Sequence, residues 1–480
     1  MNKTKYFWTA LKIFGSLGVV FSAVFLALAY GWLGIHDGPG IITQSPIPKE
    51  IISQRTTKQL NSANSVGQDG AQQILFGDLH AHTTLSFDAF IGSLPMMHGE
   101  GSRPLADACD FARFCSALDF WSINDHAEAS TPRRWSETVE SIQQCNAVGG
   151  NGQNPDTVAF LGWEWTQVGA TPETHYGHKN VIFRDIETEN VPSRPIHSGG
   201  IANTALRGLP LRNGPLLFAL DPNQRMLDFN LYLHELRQSE ECEKGKNVWD
   251  LPSNCRESAE TPSELFTKLD EWGFESMVIP HGTTWGFYTP PGSEFNKQLS
   301  GDLHDPDRQT LLEVFSGHGN SEEYRSFRAI EMNEAQQPIC PKPTENYLPS
   351  CHRAGQIIEE RCLEAGESQE ECSIRAATAR QDYVNVGTAG HYTVRGEKPE
   401  DWLDSGQCKD CYLPAFNYRP GGAAQYIMAL TNFDDPENPR RFRFGFMASS
   451  DIHSARPGTG YKEFSRRGMT ESVLGPVDEN

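Results

Sequence analysis

Chemistry-bearing side chains recur at the ends of short apolar runs, and this pattern restricts the folds open to the chain more than any other feature. The runs stand at 74–78, 119–124, 158–163, 180–183, 277–280, 311–315 and 442–447, and each has the length of a buried strand. Helical patterns at 105–117, 133–147 and 263–272 separate several of them. The last has a complete start signal, with Thr261 placed to cap, Pro262 in the first turn and Glu264 three residues after the cap. Alternation of strand and helix predicts an α/β fold built on a parallel sheet. In such sheets the carboxyl ends of the strands form one face, and that face is where sites are assembled.

The residues at those ends are metal ligands by type. His80 and His82 leave the first strand as an H-x-H pair, and two residues apart in extended chain both imidazoles fall on one face. Asp88 follows in the next loop, His126 ends the second strand, and Glu164 ends the third between Trp163 and Trp165. A carboxylate in so apolar a setting needs a cationic partner if it is buried. His175 and His178 precede the fourth strand, His281 ends the fifth, His318 follows the sixth, and Asp451 with His453 forms a D-x-H pair after the seventh. The alternative, a set of core histidines each hydrogen-bonded separately, would need a large number of dedicated partners at one rim.

Residues 13–33 form a stretch of 21 without a charge, preceded by Lys3, Lys5 and Lys12. That length spans a bilayer, and the flanking lysines place everything after it on the far side. A cleavable signal peptide is the other reading, since Ala27-Leu28-Ala29 offers a cleavage site. Both mean export: the domain stands in the periplasm or outside, anchored or released. Residues 1–35 are thus a signal anchor or signal peptide, and 36–73, polar and without apolar periodicity, a flexible linker. The 11 cysteines fit an oxidising compartment. Cys242 and Cys255, Cys340 and Cys351, and Cys362 and Cys372 bracket short polar segments and act as staples, although exact pairing does not follow from spacing. Cys408 and Cys411 fit a structural disulfide better than a zinc or redox pair, and Cys109 and Cys115 fit burial in an apolar helix. Most of the cysteines fall in two insertions, at about 186–260 and 328–420, and 357–372 reads as an acidic helix with a solvated face. A net charge of −21 argues against nucleic-acid binding.

The order H-x-H, D-H, G-x-E, a His, a strand ending in His, and D-x-H resembles that of the polymerase and histidinol phosphatase (PHP) superfamily. More narrowly, FGDLHAHTTLSFDA, EVFSGHGNSE and SSDIHSARPGTG resemble a domain-of-unknown-function family of exported PHP-like proteins. The resemblance implies a distorted (β/α)7 barrel over 74–480 and two or three divalent ions, zinc or manganese in preference to iron. By motif, His80, His82, Glu164 and Asp451 would hold one ion. Glu164 would bridge to a second, held also by His178 and His281, and Asp88, His126 and His453 would hold a third. His318 has no fixed place in that pattern, although its position after a strand makes it a further candidate. Members of the narrower family usually continue beyond the point corresponding to Asn480, so more C-terminal structure is expected.

Ions in such a donor set activate water and clamp a phosphoester, which makes an exported phosphoesterase acting on a small anionic substrate the leading expectation. Glu164 and Asp451 would be its catalytic carboxylates. Arg456, three residues after His453, is placed to contact a phosphate oxygen. Trp163, Trp165 and Trp285 are candidates to line the pocket, and Thr283, Thr284 and Asn320 to touch substrate. A noncatalytic, membrane-tethered metal- or ligand-binding protein is the alternative; a closed coordination shell would distinguish it.

Overall fold

The computed structural model describes residues 2–67, 74–97, 99–150, 154–286, 288–316, 319–402, 404–406 and 418–459. His318, Cys408 and Cys411 lie outside these residues.

In chain order the main elements are helix α1 (Asn2–Ala29), α2 (Lys49–Ser65), strand β1 (Gly77–Ala81), α3 (Phe87–Gly92), α4 (Leu105–Asp110), β2 (Phe120–Ile123), α5 (Pro132–Gly149), β3 (Val158–Trp165) and β4 (Lys179–Phe183). The first insertion contributes β5 (Ile196–His197), α6 (Ile201–Gly208), α7 (Asn213–Leu220), α8 (Gln224–Gln238) and β6 (Glu257–Ser258). After it come α9 (Pro262–Trp272), β7 (Ser276–Pro280), β8 (Leu311–Ser316) and β9 (Gly319–Asn320). The second insertion holds β10 (Glu331–Met332), β11 (Pro338–Ile339), α10 (Ser350–Glu364) and α11 (Gln369–Val386), and the chain returns through α12 (Ala424–Ala429) and β12 (Gly445–Ala448). All seven apolar runs coincide with strands.

The sheet departs from the parallel barrel expected. Five strands in the order β1-β2-β3-β4-β7 curl into a half-barrel. The first three are parallel, whereas β4 runs antiparallel to both β3 and β7. The reason is the link between β3 and β4: it has no helix and folds back through a turn at 172–174, so it makes a return where a parallel crossover would need a longer, usually helical, connection. A separate three-stranded sheet, β12-β8-β9, completes the framework. It meets β1 through the chain just past β12, where the Asp451 amide donates to the His80 carbonyl and the His82 amide to the Ile452 carbonyl. One core beneath the half-barrel includes Trp121, Trp163, Trp165, Leu161, Val278 and Leu265.

Local signals hold at α9, where the Glu264 amide donates to the Thr261 hydroxyl at 3.3 Å and Gly273 ends the helix at φ +72°. The pattern at 105–117 does not stay regular: α4 passes into a π-helical turn at Phe111–Cys115. The acidic run 357–372 is two helices, broken at Gly366 (φ +83°) and stapled by Cys362–Cys372. Cys242–Cys255 and Cys340–Cys351 close as bracketed. Of Cys109 and Cys115, both expected to be buried, only Cys109 is. Cys109 bonds Cys145 and ties α4 to α5, while Cys115 is free and exposed.

The segment 36–73 is not a loose tether over its described residues. Ile42 is buried in the core, Asp37 pairs with Arg225 at 2.6 Å, and Arg113 donates to the carbonyls of Thr43 and Ser45. Farther on, α2 is fastened by Arg55 to the carbonyls of Pro155 and Asp156 and by Gln59 to Asp119. These bonds reach residues far away in sequence, so a polar composition without periodicity conceals them.

The Cys109–Cys145 bridge closes a 36-residue separation, and loop-closure entropy assigns such a bridge about 3–4 kcal/mol. Cys109→Ala with Cys145→Ala is expected to lower unfolding stability by about that amount, read from the denaturant midpoint. An unchanged midpoint would show that α4 and α5 stay docked without it.

Candidate metal centre

Glu164 occupies the middle of the site because of how β3, β4 and β7 pair. Antiparallel pairing sets Glu164 against Asn180 and Lys179 against Pro280. The residue before β4, His178, and the residue after β7, His281, therefore arrive at the end of β3. Parallel pairing of β1 and β2 brings His80, His82 and His126 to the same rim.

Glu164 is 1% exposed, and its two oxygens face different partners. Oε2 lies 3.6 Å from His80 Nε2, 3.3 Å from His82 Nε2 and 3.1 Å from His126 Nδ1. Oε1 lies 2.6 Å from His178 Nδ1 and 3.2 Å from His281 Nε2. Buried carboxylates are ordinarily hydrogen-bonded. Here two imidazole nitrogens supply the contacts of Oε1.

Asp451 closes the first group. Its Oδ1 lies 3.2 Å from His80 Nε2 and 3.3 Å from His82 Nε2, and those two nitrogens are 3.1 Å apart. Glu164 Oε2 and Asp451 Oδ1 thus both lie 3.2–3.6 Å from the same two imidazole nitrogens. A tetrahedral ion with donors about 2.0–2.1 Å away requires edges of about 3.4 Å. Asp451 reaches this position at φ +52°, a conformation that costs a non-glycine residue free energy and is tolerated where the surroundings impose it. Its own amide and that of His82 supply the constraint through their bonds across to the neighbouring chain.

Glu164, His178 and His281 form a second group capable of holding a cation. At the outer edge, Asp88 Oδ2 lies 3.0 Å from both His126 Nε2 and His453 Nε2. Exposure rises from zero at His80 to 11% at His126, 15% at His453 and 48% at Asp88, so the centre opens to solvent on the Asp88 side. Buried His, Asp and Glu groups here have the chemistry and spacing to hold metal ions.

A surrounding layer orients the imidazoles. His80 Nδ1 meets Glu313 Oε2 at 3.0 Å, and His82 Nδ1 meets Ser86 Oγ at 2.9 Å, itself bonded to Asp125. Each pair leaves Nε2 facing inward, the arrangement that fixes a metal-ligating histidine. Although burial opposes it, the Asp451 and Glu313 carboxylates hold the His80 imidazole well above its ordinary range. Burial, with His453 next in weight, pushes His82 down to about 3. For Glu164 burial acts to raise the carboxyl, but His126, His178 and His281 hold it well below the usual range.

Of the residues expected here, His80, His82, Asp88, His126, Glu164, His178, His281, Asp451 and His453 come together. Between the two candidates near the fourth strand the geometry selects His178; His175 Nδ1 accepts instead from the Gly169 amide at 3.3 Å. Arg456 is engaged elsewhere, its guanidinium 2.6 Å from Glu100 in a cleft shared with Arg103 and Phe114. Trp163 and Trp165 belong to the core. Thr283 and Thr284 donate to the carbonyls of Gly422 and Asn320. Glu313 was missed, although it carried the signal used for Glu164: a lone charge inside an apolar strand.

No family model, curated protein or solved structure matches this chain. The reading of the site therefore rests on its geometry and on the motif resemblance.

Glu313→Gln keeps a hydrogen-bond partner for His80 but removes the charge. If the centre holds a divalent ion, the substitution is expected to weaken its binding by about 10–100-fold, measured by competition with a chromophoric chelator. Unchanged affinity would show that Glu313 does not orient His80.

Proposed function

We propose that this protein is an exported metal-dependent hydrolase of PHP type, anchored by α1, that cleaves phosphoesters at a centre of two or three divalent ions. The observation that carries the proposal is the division of the Glu164 carboxylate, one oxygen toward His80, His82 and His126 and the other toward His178 and His281. A bridging carboxylate of that kind is what two adjacent ions require. His80, His82, Glu164 and Asp451 would hold the first, Glu164, His178 and His281 the second, and Asp88, His126 and His453 a third. Zinc fits the short donor spacings of the first group and manganese the mixed imidazole and carboxylate donors.

Divalent ions in such a site supply Lewis acidity, lowering the pKa of water and neutralising charge on a phosphoryl group. The protein's own groups do the rest. Glu313 and Ser86 hold the His80 and His82 rings in one orientation. The sealed wall behind them keeps bulk water out, and the half-exposed Asp88 leaves the outer edge as the approach for substrate. A chain of net charge −21 repels anions at long range, but ions of total charge about +4 to +6 would reverse that field locally. The parallel (β/α)7 plan of PHP proteins would be represented here by the half-barrel with its reversed β4. Export is supported by the apolar α1 and four disulfides.

The test uses the purified full chain, loaded separately with zinc and with manganese, against activated phosphomonoesters and phosphodiesters. Metal-dependent turnover is expected, and His80→Ala with His82→Ala is expected to abolish it while far-ultraviolet circular dichroism stays the same. A rate that survives the double substitution would refute the assignment.

A further inference from the structure

The apolar end of α1 does not hang free of the domain. Ala29 and Gly31 are buried, and α1 packs on α7 and α8. Asn230 of α8 donates to the Leu28 carbonyl, Gln224 to the Leu33 carbonyl, and Asp228 accepts from the Ile35 amide at 2.7 Å. Gly31 (φ +67°) and Gly34 lie so close to Leu231 and Leu227 that a Cβ at either position would collide with the backbone of α8. The following residues stay attached through Asp37 and Ile42. The domain is thus held at the end of α1 with little room to swing.

Beside this junction lies α7, with the sequence NGPLLFAL. One face is used in packing: Leu217 joins the cluster of Phe229, Leu233 and Met226, and Gly214 lies against Asn230. The opposite face carries Leu216, Ala219 and Leu220, at the i, i+3, i+4 spacing of one helical stripe. Leu216 is 57% and Leu220 66% exposed, and Leu211 just before the helix is exposed as well. A surface helix is ordinarily polar on this side.

The height of α7 relative to a bilayer follows from α1. A hydrocarbon core takes about 20 helical residues. If it begins just after Lys12 it ends near Trp32; if Lys12 snorkels and it begins at Tyr6, it ends near Phe25. In the first case residues 27–31, the part packed on the domain, lie inside the hydrocarbon boundary, and in the second they lie about 3–9 Å beyond it, at the level of the headgroups. Tyr30 and Trp32, stacked at 5.7 Å with Trp32 exposed, are aromatic rings of the kind that settle at that boundary.

We propose that the bare face of α7, formed by Leu216, Ala219 and Leu220 with Leu211 beside it, inserts into the lipid interface next to α1 and docks the domain on the membrane. The proposal rests on the reading of α1 as a membrane span. Docking also fixes the height of the metal centre, because α8, which holds α1, donates from the Tyr232 hydroxyl to the Leu85 carbonyl in the loop after His82.

The experiment places a benzophenone side chain, singly, at Leu216, Leu220, Phe21 and Ile374 of the full chain in vesicles of phosphatidylethanolamine and phosphatidylglycerol. Ile374 is equally exposed but lies on α11. After irradiation, mass spectrometry is expected to find lipid adducts at Phe21, Leu216 and Leu220 and none at Ile374. Lipid adducts at Phe21 without any at Leu216 or Leu220, or adducts there to a second copy of the chain, overturn the docking and leave the anchor standing. Absence of lipid adducts at Phe21 overturns the anchor itself and the docking with it.

Discussion

A single buried carboxylate organises this molecule. Glu164 stands in an interior where an unpartnered charge costs several kcal/mol, and five imidazoles from separate parts of the chain lie within 3.6 Å of it. None of them would be held so close to its neighbours by hydrophobic packing alone. The arrangement is stable only if positive charge, from protons or from metal ions, is shared among the donors. The short contacts of Glu164 with imidazoles on both of its oxygens, and of Asp451 with His80 and His82, suit ions.

The reversal of β4 and the second sheet both act on this point. Because β4 runs back along β3, its amino end, not its carboxyl end, reaches the rim, and His178 takes a place that a parallel strand would have denied it. The β12-β8-β9 sheet contributes Glu313 and the strained Asp451 from the opposite side. The centre thus sits between two sheets, and the hydrogen bonds linking His80 and His82 to residues 451–455 hold those sheets together at one end. Any ions bound there would act as part of the fold as well as of the chemistry.

On the other side of the domain, α8 receives the end of α1 and contacts the loop after His82 through Tyr232. The first insertion is therefore more than an elaboration outside the half-barrel: it joins the apolar N-terminal helix to the wall of the metal centre. The second insertion, a disulfide-stapled helical pair with its own small core, ends at Arg419, whose amide donates to the Thr284 carbonyl in the loop after His281.

The sequence by itself determined the local facts. Apolar runs of strand length, the cap and proline of α9, the span-length α1 and nearly all the donor residues could be read directly, because each depends on neighbours a few positions away. Tertiary structure decided what depends on distant partners. It chose His178 over His175, turned Arg456 to Glu100, recruited Glu313, paired Cys109 with Cys145, and ordered residues 31–65 through bonds to arginines and acids far along the chain. Periodicity records which residues are buried together locally, but the direction of β4 and the aim of a side chain follow from how the whole chain closes. That closure is set by packing and by the compensation of buried charge, neither of which leaves a regular trace in the order of residues.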